Sequence, residues 1–163
     1  MKIKTKHILL WVPVILWMAL IFYLSAQTAG ESGGLSEAIV RWLLGVVYGD
    51  FDALPLERQT KILEIFHLII RKGAHFTEYA VLSMLLANAL RLCGKLRWYL
   101  PVVISAAYAV TDEIHQYFVP GRACRLLDVG IDTCGVLTGM ILLQIGYRLW
   151  KRKQTTNYGG NDS

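Results

Sequence analysis

The chain has 163 residues, 55% of them hydrophobic, a formal net charge of +5 and a mean hydropathy of +0.42. That apolar share exceeds what one soluble core of this size needs and points to a membrane protein. The basic excess sits at the ends of apolar segments and near the C-terminus, where membrane orientation accounts for it, and no nucleic-acid-binding motif accompanies it.

Residues 8–30 contain no Asp, Glu, Lys or Arg, enough for a first spanning helix of ~20 residues. Lys2, Lys4 and Lys6 precede it in the manner of a signal sequence, but the run is long and Leu24-Ser25-Ala26 is a poor cleavage site, so an uncleaved helix is expected. The connection from Glu31 to Arg71 carries two helical stripes, Ala38, Ile39, Trp42, Leu43, Val46 and Val47, then Ile62, Ile65, Phe66, Ile69 and Ile70. They read as amphipathic helices in the outer interface, separated by a turn around Asp50–Pro55.

Three further apolar segments follow, about Ala74–Leu90, Trp98–Tyr117 and Leu127–Trp150. Their charge-free cores, Tyr79–Leu90, Trp98–Thr111 and Thr133–Tyr147, are shorter than the ~20 residues a bilayer demands, so each span must include or closely approach a polar end. The expected fold is an all-α integral membrane bundle of four transmembrane helices, with amphipathic interfacial helices between the first and second. One domain is expected over residues 1–150, and a disordered cytoplasmic tail over 151–163.

Lys and Arg concentrate before the first span, between the second and third (Arg91, Lys95, Arg97), and after the fourth (Arg148, Lys151, Arg152, Lys153). Cytoplasmic loops are enriched in such residues, so both termini should be cytoplasmic. The polar ends of the last three spans then gather at the outer leaflet. A charge at the centre of a membrane helix costs roughly 2.5–3.5 kcal/mol on insertion scales, so such groups mark a working site by default.

At 100° per residue, Lys72, His75, Phe76, Tyr79 and Ser83 share one face of the second span, with Glu78 on an adjacent row beside Arg71 and His75. On the third, Ser105, Tyr108, Asp112, His115 and Gln116 form a polar stripe, and Glu113 is turned away toward a different partner. On the fourth, Asp128, Asp132, Gly135 and Gly139 form one strip whose glycines permit close helix packing. Pro120-Gly121 forces a turn between the last two spans, and Arg122 and Arg125 follow, suited to a phosphate or carboxylate.

Lys72-x-x-His75-Phe76-x-x-Tyr79, Asp112-Glu113-x-His115-Gln116-x-Phe118-x-Pro120-x-Arg122, and Asp128 with Gly135 and Gly139 resemble the VanZ-like family of small bacterial membrane proteins. The Ser25-x-Gln27 ending of the first helix is similar too, whereas Asp132 departs from the Asn the resemblance leads one to expect. The family takes its name from a protein associated with reduced susceptibility to teicoplanin-type glycopeptide antibiotics. The resemblance implies a cell-envelope context and brings no settled reaction.

Two functional classes follow. As an enzyme, the chain would modify a lipid-linked or anionic envelope molecule by hydrolysis or group transfer. His115 with Asp112 would be the acid/base pair, His75 and Glu113 further catalytic candidates, and Lys72, Tyr79, Gln116, Arg122, Asp128 and Asp132 would bind or orient the substrate. As a non-catalytic binding or transport protein, it would use the same cluster to recognise an amphiphilic antibiotic or a lipid head group. For either histidine the blander reading is a buried hydrogen bond between helices, worth about 0.6–2 kcal/mol. Tyr79 and Tyr108 are equally readable as core aromatics.

No cofactor is called for. His75, Glu78, Asp112, His115, Asp128 and Asp132 are donors that suit Zn²⁺ or a harder divalent ion, but no tight ligand motif is present, and Lys72 with two arginines already balances carboxylates. Cys93, Cys124 and Cys134 predict no disulfide framework.

Overall fold

The computed structural model describes residues 2–27, 40–47, 51–120 and 125–158. These form helix α1 (Lys2–Ser25), a helix over 40–47 (α2), a 3-10 turn (η1, Phe51–Ala53), α3 (Leu56–Leu92), α4 (Tyr99–Tyr117) and α5 (Leu126–Tyr158). No strand occurs among the described residues, in line with the all-α expectation.

Two helices are long and apolar enough to cross a membrane by length and composition, α1 over Ile8–Ser25 and α5 over Leu126–Gln154. The expected second and third spans fall short of that measure. α4 ends in Asp112, Glu113, His115 and Gln116, and α3 carries Arg71, Lys72, His75 and Glu78 in its middle. Buried polar groups and exposed large apolar side chains nonetheless occur together, a pairing that is informative where an exposed Leu alone is not. Ser25, Ser83, Ser105, Asp112, Glu113, Gln116 and Asp132 are buried, while Leu9, Leu16, Tyr23, Val103, Ile114 and Ile141 lie on the surface.

α3 is one unbroken helix of 37 residues, where the sequence reading had an interfacial helix ending near Ile70 and a separate span beginning at Ala74. At 1.5 Å per residue it is about 55 Å long, well beyond the roughly 30 Å of a hydrocarbon core. Arg71-Lys72-Gly73 interrupts the apolar pattern without breaking the backbone, because nothing there blocks the helical hydrogen bonds. The first half of α3 carries its own small core: Val40, Leu44 and Phe51 are buried against Leu54, Ile62, Leu63, Phe66 and Ile70.

This lobe corrects the phase assigned to α2. Val40 and Leu44 face inward, whereas Trp42 is 68% exposed and Val46 and Val47 also lie outside; Ala38 and Ile39 fall outside the described residues. On α3, Ile62, Phe66 and Ile70 pack as expected, but Ile65 and Ile69 are exposed. The tail boundary moves as well, since α5 continues helically through Tyr158 rather than giving way to coil at Lys151.

α3 stops at Cys93, and Gly94 takes the left-handed conformation (φ +68°). The Lys95 and Gly94 amides bond back to the Leu90 and Arg91 carbonyls, at 2.9 Å each, so the orphan carbonyls of the last turn are satisfied and the chain reverses into α4. The main core joins Val14 and Ile21 of α1, Tyr79, Leu82, Leu86 and Ala89 of α3, Ala109 of α4 and Val136 of α5. Trp17 donates to the Glu78 carbonyl (2.9 Å) and the Tyr108 hydroxyl to the Met18 carbonyl (2.7 Å), tying α1 to α3 and α4.

The closest approach is between α3 and α5, which run parallel. Gly135 sits on the Phe76 carbonyl and Gly139 on the Ala80 carbonyl, so the small-residue strip is a packing face inside the molecule. Ser83 Oγ reaches across it to the Val136 carbonyl at 3.0 Å. At the far end the Arg91 guanidinium lies over the Tyr147 ring, 3.4 Å from its centre.

Candidate functional site

One cavity opens where α3, α4 and α5 come together, lined by Arg71, Lys72, His75, Glu113, Gln116, Asp128, Ile131 and Asp132. Lys72 and His75 project from the middle of α3, one turn apart. Glu113 and Gln116 come from the last turns of α4, Asp128 and Asp132 from the first turns of α5. The α3–α5 glycine contact just beyond Asp132 fixes how near these helices stand.

The Lys72 ammonium donates to Asp128 Oδ1, forming an ion pair at the mouth with about a quarter of each side chain exposed (26% and 22%). His75 Nδ1 lies 3.7 Å from Glu78 Oε2. Glu113 is buried and accepts a hydrogen bond from the Arg125 amide, so α4 receives the chain as it enters α5. That amide is the different partner toward which Glu113 turns. Asp112, Asp132 and Glu113 are the deepest, 2%, 3% and 3% exposed. Asp112 Oδ2 accepts from Gln116 Nε2 at 3.2 Å, and Oδ1 of each aspartate has no hydrogen-bond partner. Glu78, Asp112, Glu113 and Asp128 all lie within electrostatic range of Asp132, so the acidic groups of three helices converge.

Tyr79 is fully buried beneath this cluster, its ring 6.2 Å from that of Tyr108, and its hydroxyl has no hydrogen-bond partner. His115 stands apart from the cavity lining. Its ring stacks on Phe22 of α1 with centroids 4.1 Å apart, and its Nδ1 is buried without a hydrogen-bond partner. The expected Asp112–His115 acid/base pair is therefore not joined through Nδ1. Gln116, one full turn from Asp112, takes the carboxylate instead. Among the described residues no group of three or more His, Cys, Asp or Glu side chains is arranged to hold a metal ion. Arg122 and Cys124 lie outside the described residues.

Residues 10–147 match the VanZ/LLP1 family. The chain belongs to that family. The match runs from α1 to the last third of α5 and takes in every VanZ/LLP1 site candidate named above, from Lys72 to Asp132. No curated protein and no solved structure matches the chain.

The VanZ/LLP1 cavity also includes Arg71 and Ile131, which the motif reading left out of the site. Arg71 was accessible to pattern: it stands four residues before His75, on the same helical row. The Arg125 amide was not, because no side-chain signal marks a main-chain donor.

Proposed function

We propose that this VanZ/LLP1 protein is a four-span integral membrane protein with both termini cytoplasmic, and that its α3–α4–α5 cavity faces outward. There it binds and modifies a lipid-linked or anionic cell-envelope molecule, an action that lowers susceptibility to teicoplanin-type glycopeptides. The observation that carries this reading is the convergence of Lys72, His75, Glu113, Gln116, Asp128 and Asp132 from three helices on one cavity. Packing alone does not need so many ionisable groups at membrane depth. The Lys/Arg-rich segments at both termini and at Arg91–Arg97 support the orientation, and the apolar exterior supports the spans.

In the catalytic form of this function, His75 is the acid/base. It lines the cavity, with the Glu78 carboxylate 3.7 Å from its Nδ1. Asp112, held by Gln116, and Glu113, held by the Arg125 amide, supply the buried negative field. Arg71 at the rim, which makes no ion pair among the described residues, takes an anionic group on the substrate. His115, stacked on Phe22, ties α4 to α1.

A binding or transport role is favoured by one observation, the narrowness of the cavity, which has room for about one water-sized group. Envelope mass spectrometry of cells expressing the natural chain, His75→Ala, His115→Ala or no protein separates the two, with glycopeptide susceptibility measured in parallel. The expected result is an altered envelope molecule that drops about 100-fold or more in His75→Ala, at unchanged protein level, and falls only with protein abundance in His115→Ala. An unchanged envelope with altered susceptibility identifies a binder. If neither readout responds to the protein, the site has no role in the envelope.

A further inference from the structure

Proceeding from the envelope-molecule reading above, we infer that the element recognised in the cavity is a primary ammonium group, received by Asp132, on an amine-bearing head group. The cavity is rich in carboxylates, and of its two most deeply buried lining members, Glu113 and Asp132 at 3% exposure each, Asp132 is the one left over. Lys72 is engaged by Asp128, Glu113 by the Arg125 amide, and Glu78 by His75. Asp132 lines the cavity at 3% exposure with Oδ1 lacking a hydrogen-bond partner, and Asp112 stands behind it with one oxygen in the same condition.

A buried carboxylate is costly unless it is paired and hydrogen-bonded. The group that best completes this site is cationic, a hydrogen-bond donor, and no larger than the space. A primary ammonium meets all three conditions, with three N–H donors on a compact charge. A guanidinium or a trimethylammonium is bulkier than a primary ammonium and suits so narrow a space less well. Lys72 at the mouth shows the same chemistry, an ammonium held by an α5 carboxylate one turn away from Asp132. Arg71 on the rim then matches the phosphate of a phosphoethanolamine-type head group.

The test uses the full chain purified in detergent and titrated with short-chain phosphatidylethanolamine, phosphatidylcholine and phosphatidylglycerol, with binding followed by native mass spectrometry. The ethanolamine lipid is expected to bind about tenfold or more tighter than the other two, the range of a hydrogen bond to a charged group. Asp132→Asn, matched in volume, is expected to erase that preference while thermal unfolding shows the variant folded. Free ethanolamine added as competitor displaces the lipid where the amine alone is the recognised element, and leaves it bound where acyl chains are also needed. Equal binding of the ethanolamine and glycerol lipids by the natural chain overturns the assignment, and this arm needs no variant. So does a preference that survives in Asp132→Asn. Absence of the amine preference alongside an intact His75-dependent envelope change discards the ammonium assignment and keeps the site; the opposite pair of results does the reverse.

Discussion

Adding a single methyl at Gly139 is expected to lower the steady-state level of the protein severalfold and to shift its thermal unfolding in detergent downward. A Cβ there meets the Ala80 carbonyl oxygen and the Ser83 hydroxyl, and one at Gly135 meets the Phe76 carbonyl. Main-chain atoms cannot swing aside as a flexible side chain does, so α3 and α5 must separate. Inserting methylenes into a packed core typically costs about 1–3 kcal/mol, and a backbone obstacle places Gly139→Ala at or above the top of that range. Gly146→Ala is the matched control. It lies on the same helix with nothing within 4 Å of the new atom, so the level and the unfolding midpoint should hold. Helix propensity favours Ala over Gly at both positions, so equal losses from both substitutions would show that the α3–α5 approach does not set the cost at Gly139.

Breaking the Lys72–Asp128 pair is the second large expectation. Removing one partner of a fully buried pair costs roughly 3–5 kcal/mol because the other charge is stranded. With 26% and 22% of these side chains exposed, about 2–3 kcal/mol is the appropriate scale for Lys72→Met. Lys72→Met combined with Asp128→Leu should recover part of that stability, since no charge is stranded. A double-mutant cycle on chemical or thermal unfolding reads the coupling directly. A coupling near zero would mean that the pair contributes nothing to holding α3 against α5. Function should not recover with stability, because the doubly neutral cavity no longer presents the Lys72 ammonium at its mouth.

The elements of this fold were legible where residue size or charge dictated the outcome. Gly135 and Gly139, spaced by one helical turn in line with Asp128 and Asp132, announce a close helix contact from sequence, and the structure places that contact on α3. The gathering of Lys72, Gln116, Asp128 and Asp132 followed from requiring polar helix ends to share an interior. The continuity of α3 was not legible. Arg71, Lys72 and Gly73 look like punctuation between two apolar patterns, yet none of them forbids helical backbone, and packing on both sides carries the helix through.

The phase of α2 was missed for a related reason. Periodicity alone does not choose between Trp42–Val46 and Val40–Leu44, and the choice is made by Phe51 and the α3 residues that cover the second pair. The Asp112–His115 expectation failed on side-chain direction. Both residues point off the same stretch of α4, but Phe22 of α1 captures the imidazole and Gln116 captures the carboxylate. Neither competitor is visible without knowing which helix lies alongside.

The length of α3 makes a lever of it. Its first half is gripped by Val40, Leu44 and Phe51, its second half is wedged between α1 and α5, and its single glycine, Gly73, comes directly after Lys72 with no neighbour within 4 Å. Glycine is the least resistant point in a helix, so any tilt of the outer arm is absorbed at that joint. A push on the arm would thereby be delivered as a swing of Lys72 relative to Asp128, drawing or shooting the bolt across the chamber from some distance away.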